Sequence, residues 1–181
     1  MTAIDQALAR LHRTLADLAV PHMVIGGLAN ALWGVPRATL DIDLTLWVED
    51  PAIPNVIRSL CSRFTCLSDS PDDFVRQTRV LPVEVEDVKA DLIFGVLPYE
   101  REAIGRAVTR RVAGEAVPFC TAEDLVIHKI VSERQRDRDD AREVLLVQRG
   151  KLDLAYLEPR VRELAGLLDR PSLWDDYLRW R

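Results

Sequence analysis

Asp41 and Asp43 stand two positions apart in "LDIDLTLWV", a run otherwise built of apolar and β-branched residues. Its period-two alternation predicts a strand, with Asp41 and Asp43 on one face and Ile42, Leu44 and Leu46 on the other. Adjacent carboxylates repel, and burying them costs free energy unless a positive charge joins them. A divalent cation meets that need. Hard oxygen ligands on a rigid strand suit Mg²⁺, which keeps its other positions for water and substrate phosphates.

Upstream, "HMVIGG" reads as a short apolar strand ending in Gly26-Gly27 and running into the helical stretch "LANALWG". Glycines there let backbone approach a ligand closely, and the N–H groups of a helix N-terminus make a phosphate site. A tight strand–helix turn needing positive φ asks for the same residues. Arg37 and Thr39, just before the aspartates, add a guanidinium and a hydroxyl able to meet phosphate oxygens.

Far downstream, Lys129 sits beside His128 in the apolar run "LVIHKIV", where its ammonium needs a partner; a triphosphate at Gly26-Gly27 is one. In a continuous helix turning about 100° per residue, Lys129, Glu133, Arg136 and Asp140 share a narrow arc. Leu125, Val126, Ile130, Ala141, Val144 and Leu145 are then available for packing. The Arg/Asp pairs three and four apart in this stretch equally suit a solvated helix face.

The elements that must position these residues are legible in outline. Ala3 to Ala19 carries Ile4, Leu8, Leu11, Leu15 and Leu18 at helical steps, with Pro21 as a stop. A helix is expected from about Pro54 to Arg63, then a loop over "LSDSPDD". The strand-like runs "VLPVEVE" and "VKADLIFGV" follow, turning at Glu86-Asp87 without the usual glycine. "YEREAIGRAV" reads as a helix and "RRVAGEAVPFC" as a hairpin near Gly114. From Thr121, spaced with Asp124 as an N-terminal cap, the pattern is helical to the end, broken at Gly150. Strands interleaved with helices and then helices alone predict an α/β (α+β) sheet core over residues 1–120, with a helical segment over 121–181 packed on it.

Composition narrows the class. The chain has 181 residues, 48% hydrophobic and 29% charged, enough for one core without metal or disulfide staples. A net charge of −5 and a pI near 5.3 argue against broad DNA binding. Cys61, Cys66 and Cys120 show no CxxC spacing, so ordinary thiols in a reducing cytoplasm are expected. The N-terminus reads as neither signal peptide nor membrane span, and no apolar run approaches the ~20 residues that cross a bilayer. His12, His22 and His128 lack ligand spacing and are expected to pack or face solvent. Trp33 is expected in the core.

The glycine pair, thirteen intervening residues and "DID" followed by Leu44 resemble the signature of the DNA polymerase β-like nucleotidyltransferase superfamily. That resemblance implies a small mixed sheet flanked by helices and a third acid on a later strand. Asp91 in "KADLIFG" matches it best, with Glu84 and Glu86 in "VEVE" competing. It further implies that Asp41, Asp43 and Asp91 hold two Mg²⁺ ions, that a nucleoside triphosphate is the substrate, and that Asp91 helps deprotonate the acceptor hydroxyl. Lys129, then Arg136-Asp137 and Asp140, also resembles the Lys and Arg-Asp-x-x-Asp motif of AbiEii-like (type IV toxin–antitoxin) nucleotidyltransferases. Arg138-Asp139 offers another register.

On this resemblance the expected function is transfer of a nucleotidyl group to RNA, such as a tRNA end, or to a protein hydroxyl. A toxin paired with a cognate antitoxin is one form of that activity. Antibiotic-modifying aminoglycoside and lincosamide adenylyltransferases share the signature and give a small-molecule alternative. A non-catalytic binding or antitoxin module is a third, which the presence of all three acids disfavours.

Overall fold

The computed structural model describes residues 2–181. Contacts divide the chain into two compact units: one takes the chain up to Leu28 with Ala38–Cys120, the other Ala29–Arg37 with Thr121–Arg181.

The first unit opens with helix α1 (Ala3–Asp17). Thr2 caps it, accepting from Asp5 N while the Asp5 side chain accepts from Thr2 N. Its apolar stripe buries Leu8, Leu11 and Leu15. Then come β1 (His22–Val24), the start of α2 (Gly26–Trp33), β2 (Asp41–Leu46), a 3₁₀ turn and α3 (Ile53–Cys61). β3 (Thr65–Cys66), α4 (Pro71–Thr78), β4 (Val80–Val85), β5 (Val88–Phe94), α5 (Pro98–Arg106), β6 (Val108–Val112) and β7 (Glu115–Phe119) complete it.

The seven strands form one mixed sheet ordered β3-β4-β5-β2-β1-β7-β6. β2 runs parallel to β5 and antiparallel to β1. One sheet face buries Ile42, Leu44, Leu46, Leu81, Val83, Ala90, Leu92 and Phe94; their alternation with polar residues is what chose the register. Glu86 and Asp87 turn the β4–β5 hairpin with φ of 52° and 63°, so the two left-handed residues of a tight turn are made here without glycine.

The second unit holds the rest of α2, the turn to Arg37, and α6 (Ala122–Ile130), α7 (Gln135–Val147), α8 (Leu154–Leu167) and α9 (Ser172–Trp180). Thr121 caps α6 by accepting from Asp124 N, as expected.

Three expectations are corrected. The "LSDSPDD" stretch contains the start of α4. Pro71 occupies its first turn with Asp72 and Asp73, residues that favour a helix N-terminus as much as a loop. Lys129 and Asp140 do not lie on one continuous helix, because α6 ends at Ile130 and α7 starts at Gln135. Ser132 diverts the backbone there: its hydroxyl accepts from Arg134 N and donates to Asp137. Cys61 and Cys66 are joined in a disulfide, because the turn after α3 brings their Cα atoms to 5.4 Å. Free thiols therefore no longer support the expectation of a reducing cytoplasm. No helix among the described residues is long and apolar enough to cross a membrane.

Candidate active site

The β2–β5 register assembles an acidic face. Asp43 pairs with Asp91 and Asp41 with Lys89, so all four side chains lie on the sheet face opposite the apolar core. Glu84 pairs with Lys89 from β4 and lies on that face one strand farther out. Glu86 is in the hairpin turn, with Arg10 at 3.2 Å. Of the three candidate third acids, Asp91 is the one directly beside Asp43.

The glycine pair is shaped by this face. Gly26 has φ +63°, and a Cβ placed there would lie 1.8 Å from Asp43 Oδ2. A Cβ on Gly27 would lie 2.5 Å from Thr39 Oγ1. The Asp43 carboxylate thus rests against the first residue of α2, where the helix dipole favours negative charge. Ile25 N donates to Asp43 O at 2.9 Å and fixes the approach. Thr39 Oγ1 in turn donates to Asp41 O at 3.3 Å.

The charges on this face are poorly balanced. Burial and the neighbouring Asp41 push the Asp91 carboxyl above its ordinary pKa, while Lys89 draws it back. Asp41 Oδ1 accepts from Leu40 N at 3.1 Å. Among the described residues no three His, Cys, Asp or Glu side chains are gathered as a metal cage would be. The β2–β5 register sets the three carboxylate-bearing positions side by side on one face. The donor set itself is all hard oxygen and fits a hard divalent cation.

Lys129 and Asp140 belong to a separate, buried ion cluster in the second unit. The Lys129 ammonium bonds Asp137 and lies 3.1 Å from Asp140 Oδ2. Asp140 takes the Arg37 guanidinium with both oxygens, Nε at 3.3 Å and Nη2 at 3.1 Å, and Asn30 Nδ2 at 3.4 Å. Burial alone would raise Asp137, but hydrogen bonds from Lys129 and Ser132 and the charges of Lys129 and Arg134 hold its carboxyl below the usual range. Asp139 is exposed and accepts from Gln135, so Asp137 and Asp140, not Asp139, are the aspartates of this stretch in the buried cluster. The burial of Lys129 is therefore compensated by protein carboxylates, and by itself does not call for a triphosphate.

Two groupings were missed in the sequence. Lys89 precedes Asp91 by two, so the alternation of "VKAD" already assigned both to one face; nothing local marked that face as acidic. His12 and His22, ten residues apart in sequence, meet with Nδ1 of His12 2.9 Å from Nε2 of His22. His22 Nδ1 lies 2.8 Å from Val20 O, so it donates there and Nε2 accepts from His12. Burial lowers the pKa of both rings. No sequence signal pairs residues from a helix and a strand in this way. Trp33 is half-buried, its carbonyl accepting from Gln148 at 2.7 Å.

Several solved structures share this fold. One is ANT(2″)-Ia in complex with adenylyl-2″-tobramycin: 15% identity over 92% of this chain and 99% of that one, TM-score 0.60. Another is an antigenic nucleotidyltransferase-like protein from Paracoccidioides brasiliensis, at 16% identity over 99% and 93%, TM-score 0.54. A third is the lincosamide antibiotic adenylyltransferase LnuA with lincomycin bound, at 12% over 78% and 96%, TM-score 0.52. No curated protein matches the chain in sequence. A family model covers residues 1–172, nearly the whole chain. This protein accordingly belongs to the family described as nucleotidyltransferases of unknown function (DUF6036).

Proposed function

We propose that this protein transfers a nucleoside monophosphate from a nucleoside triphosphate to a hydroxyl acceptor, with Mg²⁺ held by Asp41, Asp43 and Asp91. The observation that carries the proposal is the register placing Asp91 beside Asp43 on the face that also bears Asp41. A triphosphate approaching the Gly26-Gly27 turn meets the Asp43 carboxylate lying against it, so anion would face anion without a cation between them. When bound, one or two Mg²⁺ ions would neutralise phosphate charge and lower the pKa of the acceptor hydroxyl. Gly26 and Gly27 admit the phosphates close to the backbone, and the Thr39 hydroxyl beside Gly27 becomes a donor to them by turning from Asp41 O. Asp91 takes the acceptor proton as the acceptor oxygen bonds the α-phosphorus, and the α–β bond breaks to release pyrophosphate. Arg37, Lys129 and Asp140 serve this reading through the ion cluster that orders their own unit.

For the acceptor, RNA such as a tRNA end or a protein hydroxyl is the first choice, in the manner of an AbiEii-like toxin with a cognate antitoxin. The spacing of Lys129, Asp137 and Asp140 supports that choice. The fold shared with ANT(2″)-Ia and LnuA favours a second reading, a small hydroxylated antibiotic as acceptor. Calorimetric titration with each of the four nucleoside triphosphates and Mg²⁺ tests the core of the proposal. Binding that disappears in Asp41→Ala and Asp43→Ala is expected, and no binding of any triphosphate would sink it. Labelled triphosphate offered with total RNA, protein or aminoglycosides then separates the acceptors by where the label goes.

A further inference from the structure

The ammonium on the acidic face has no role in the chemistry described so far. Lys89 is exposed and is flanked across strands by Asp41 on β2 and Glu84 on β4, with Asp91 two residues along its own strand. Neighbouring strands lie ~4.8 Å apart, so one positive charge is surrounded by three carboxyl-bearing positions. Of the 24 Lys and Arg residues only Lys89, Lys129 and Lys151 are lysines, and Lys89 alone of these stands among the proposed metal-binding acids. An arginine there would fork onto a carboxylate and hold it; a lysine is a compact point charge on a flexible stem that is easily released.

We propose that Lys89 is a tethered counter-ion that opposes binding of a divalent cation alone and favours its binding together with a triphosphate. This rests on the acidic face being the nucleotidyl-transfer site. Without a metal, the ammonium offsets repulsion among Asp41, Glu84 and Asp91. A bare cation entering the face competes with Lys89 for the same oxygens and is repelled by it. When a triphosphate arrives with the cation, the displaced ammonium meets phosphate oxygens and the repulsion is exchanged for attraction. Lys89 thereby couples metal and nucleotide, so that an empty site does not collect metal without substrate.

Titration of the full chain with Mn²⁺, followed by paramagnetic resonance with and without a non-hydrolysable triphosphate analogue, tests this. Exposed charge pairs contribute up to ~1 kcal/mol, so each shift is expected to be ~3- to 5-fold. Lys89→Gln should bind Mn²⁺ alone more tightly than wild type and bind the analogue, with Mn²⁺ present, more weakly. Lys89→Arg should bind Mn²⁺ alone no more tightly than wild type and should still bind the analogue more weakly, because the forked guanidinium is not released to the phosphates. If wild type binds both ligands and Lys89→Gln shifts neither affinity, or shifts both in the same direction, the inference is overturned and the site stands. If wild type binds neither Mn²⁺ nor the analogue, the site fails and the inference with it.

Discussion

The Asp43 carboxylate occupies the space that a side chain on Gly26 would need, with Oδ2 1.8 Å from the position of a Cβ. Two independent demands therefore fall on Gly26, room for Asp43 and a φ of +63°. Gly27 answers to one, the Thr39 side chain. Gly27→Ala should lower the melting temperature and regain most of the loss when combined with Thr39→Gly. Gly26→Ala combined with Asp43→Ala should remain destabilised by the ~1–2 kcal/mol of left-handed strain that no neighbour can relieve. Equal rescue at both positions in a double-mutant cycle would contradict this.

Asp91 should trade stability for function. Its folded-state pKa is raised, so the folded chain binds this proton more tightly than the unfolded chain. The sign follows: stability associated with Asp91 is present below the ordinary Asp pKa and is lost as pH rises through the raised value. Asp91→Asn should melt higher than wild type at neutral pH and lose this part of the pH dependence. The same variant should lose nucleotidyl transfer by ~10²- to 10⁴-fold, the range of a removed general base. A lower melting temperature at neutral pH would count against the unbalanced charge.

The Lys129 cluster should behave in the opposite way. Asp137 has a lowered folded-state pKa, so its stabilising contribution is present above the ordinary Asp pKa and is lost as pH falls through the depressed value. Lys129→Ala leaves the buried Asp137 and Asp140 without their shared ammonium and should cost ~3–5 kcal/mol in denaturant unfolding. Arg37→Lys should cost ~1 kcal/mol, because lysine cannot hold both oxygens of Asp140.

Thr45 lies on β2 two residues past Asp43, fully buried, with its hydroxyl lacking a hydrogen-bond partner among the described residues. Thr45→Val keeps the shape and removes the orphaned group, so unfolding should become harder by ~1 kcal/mol. A loss of stability would show that the hydroxyl is satisfied after all.

The elements were legible where the signal is local. Period-two alternation located β2, β4 and β5, helical spacing located α1, and Thr121 with Asp124 located the start of α6. Where two local signals compete, as at Pro71 with its aspartates, loop and helix could not be told apart. The same held at Ser132, whose hydroxyl competes with the helix for backbone partners.

That Asp41 and Asp43 share a face, with two glycines before them, follows from the order of residues alone, because side-chain direction on a strand and freedom at glycine are local properties. That Asp91 stands beside Asp43, Lys89 beside Asp41, and Lys129 between Asp137 and Asp140 follows from long-range packing. Strand register is chosen by which long-range pairing buries the apolar face, and a one-residue slip would have turned Asp91 and Lys89 into the core. On an unbroken helix Lys129 and Asp137 would be ~12 Å apart, and the break after Ile130 lets them meet.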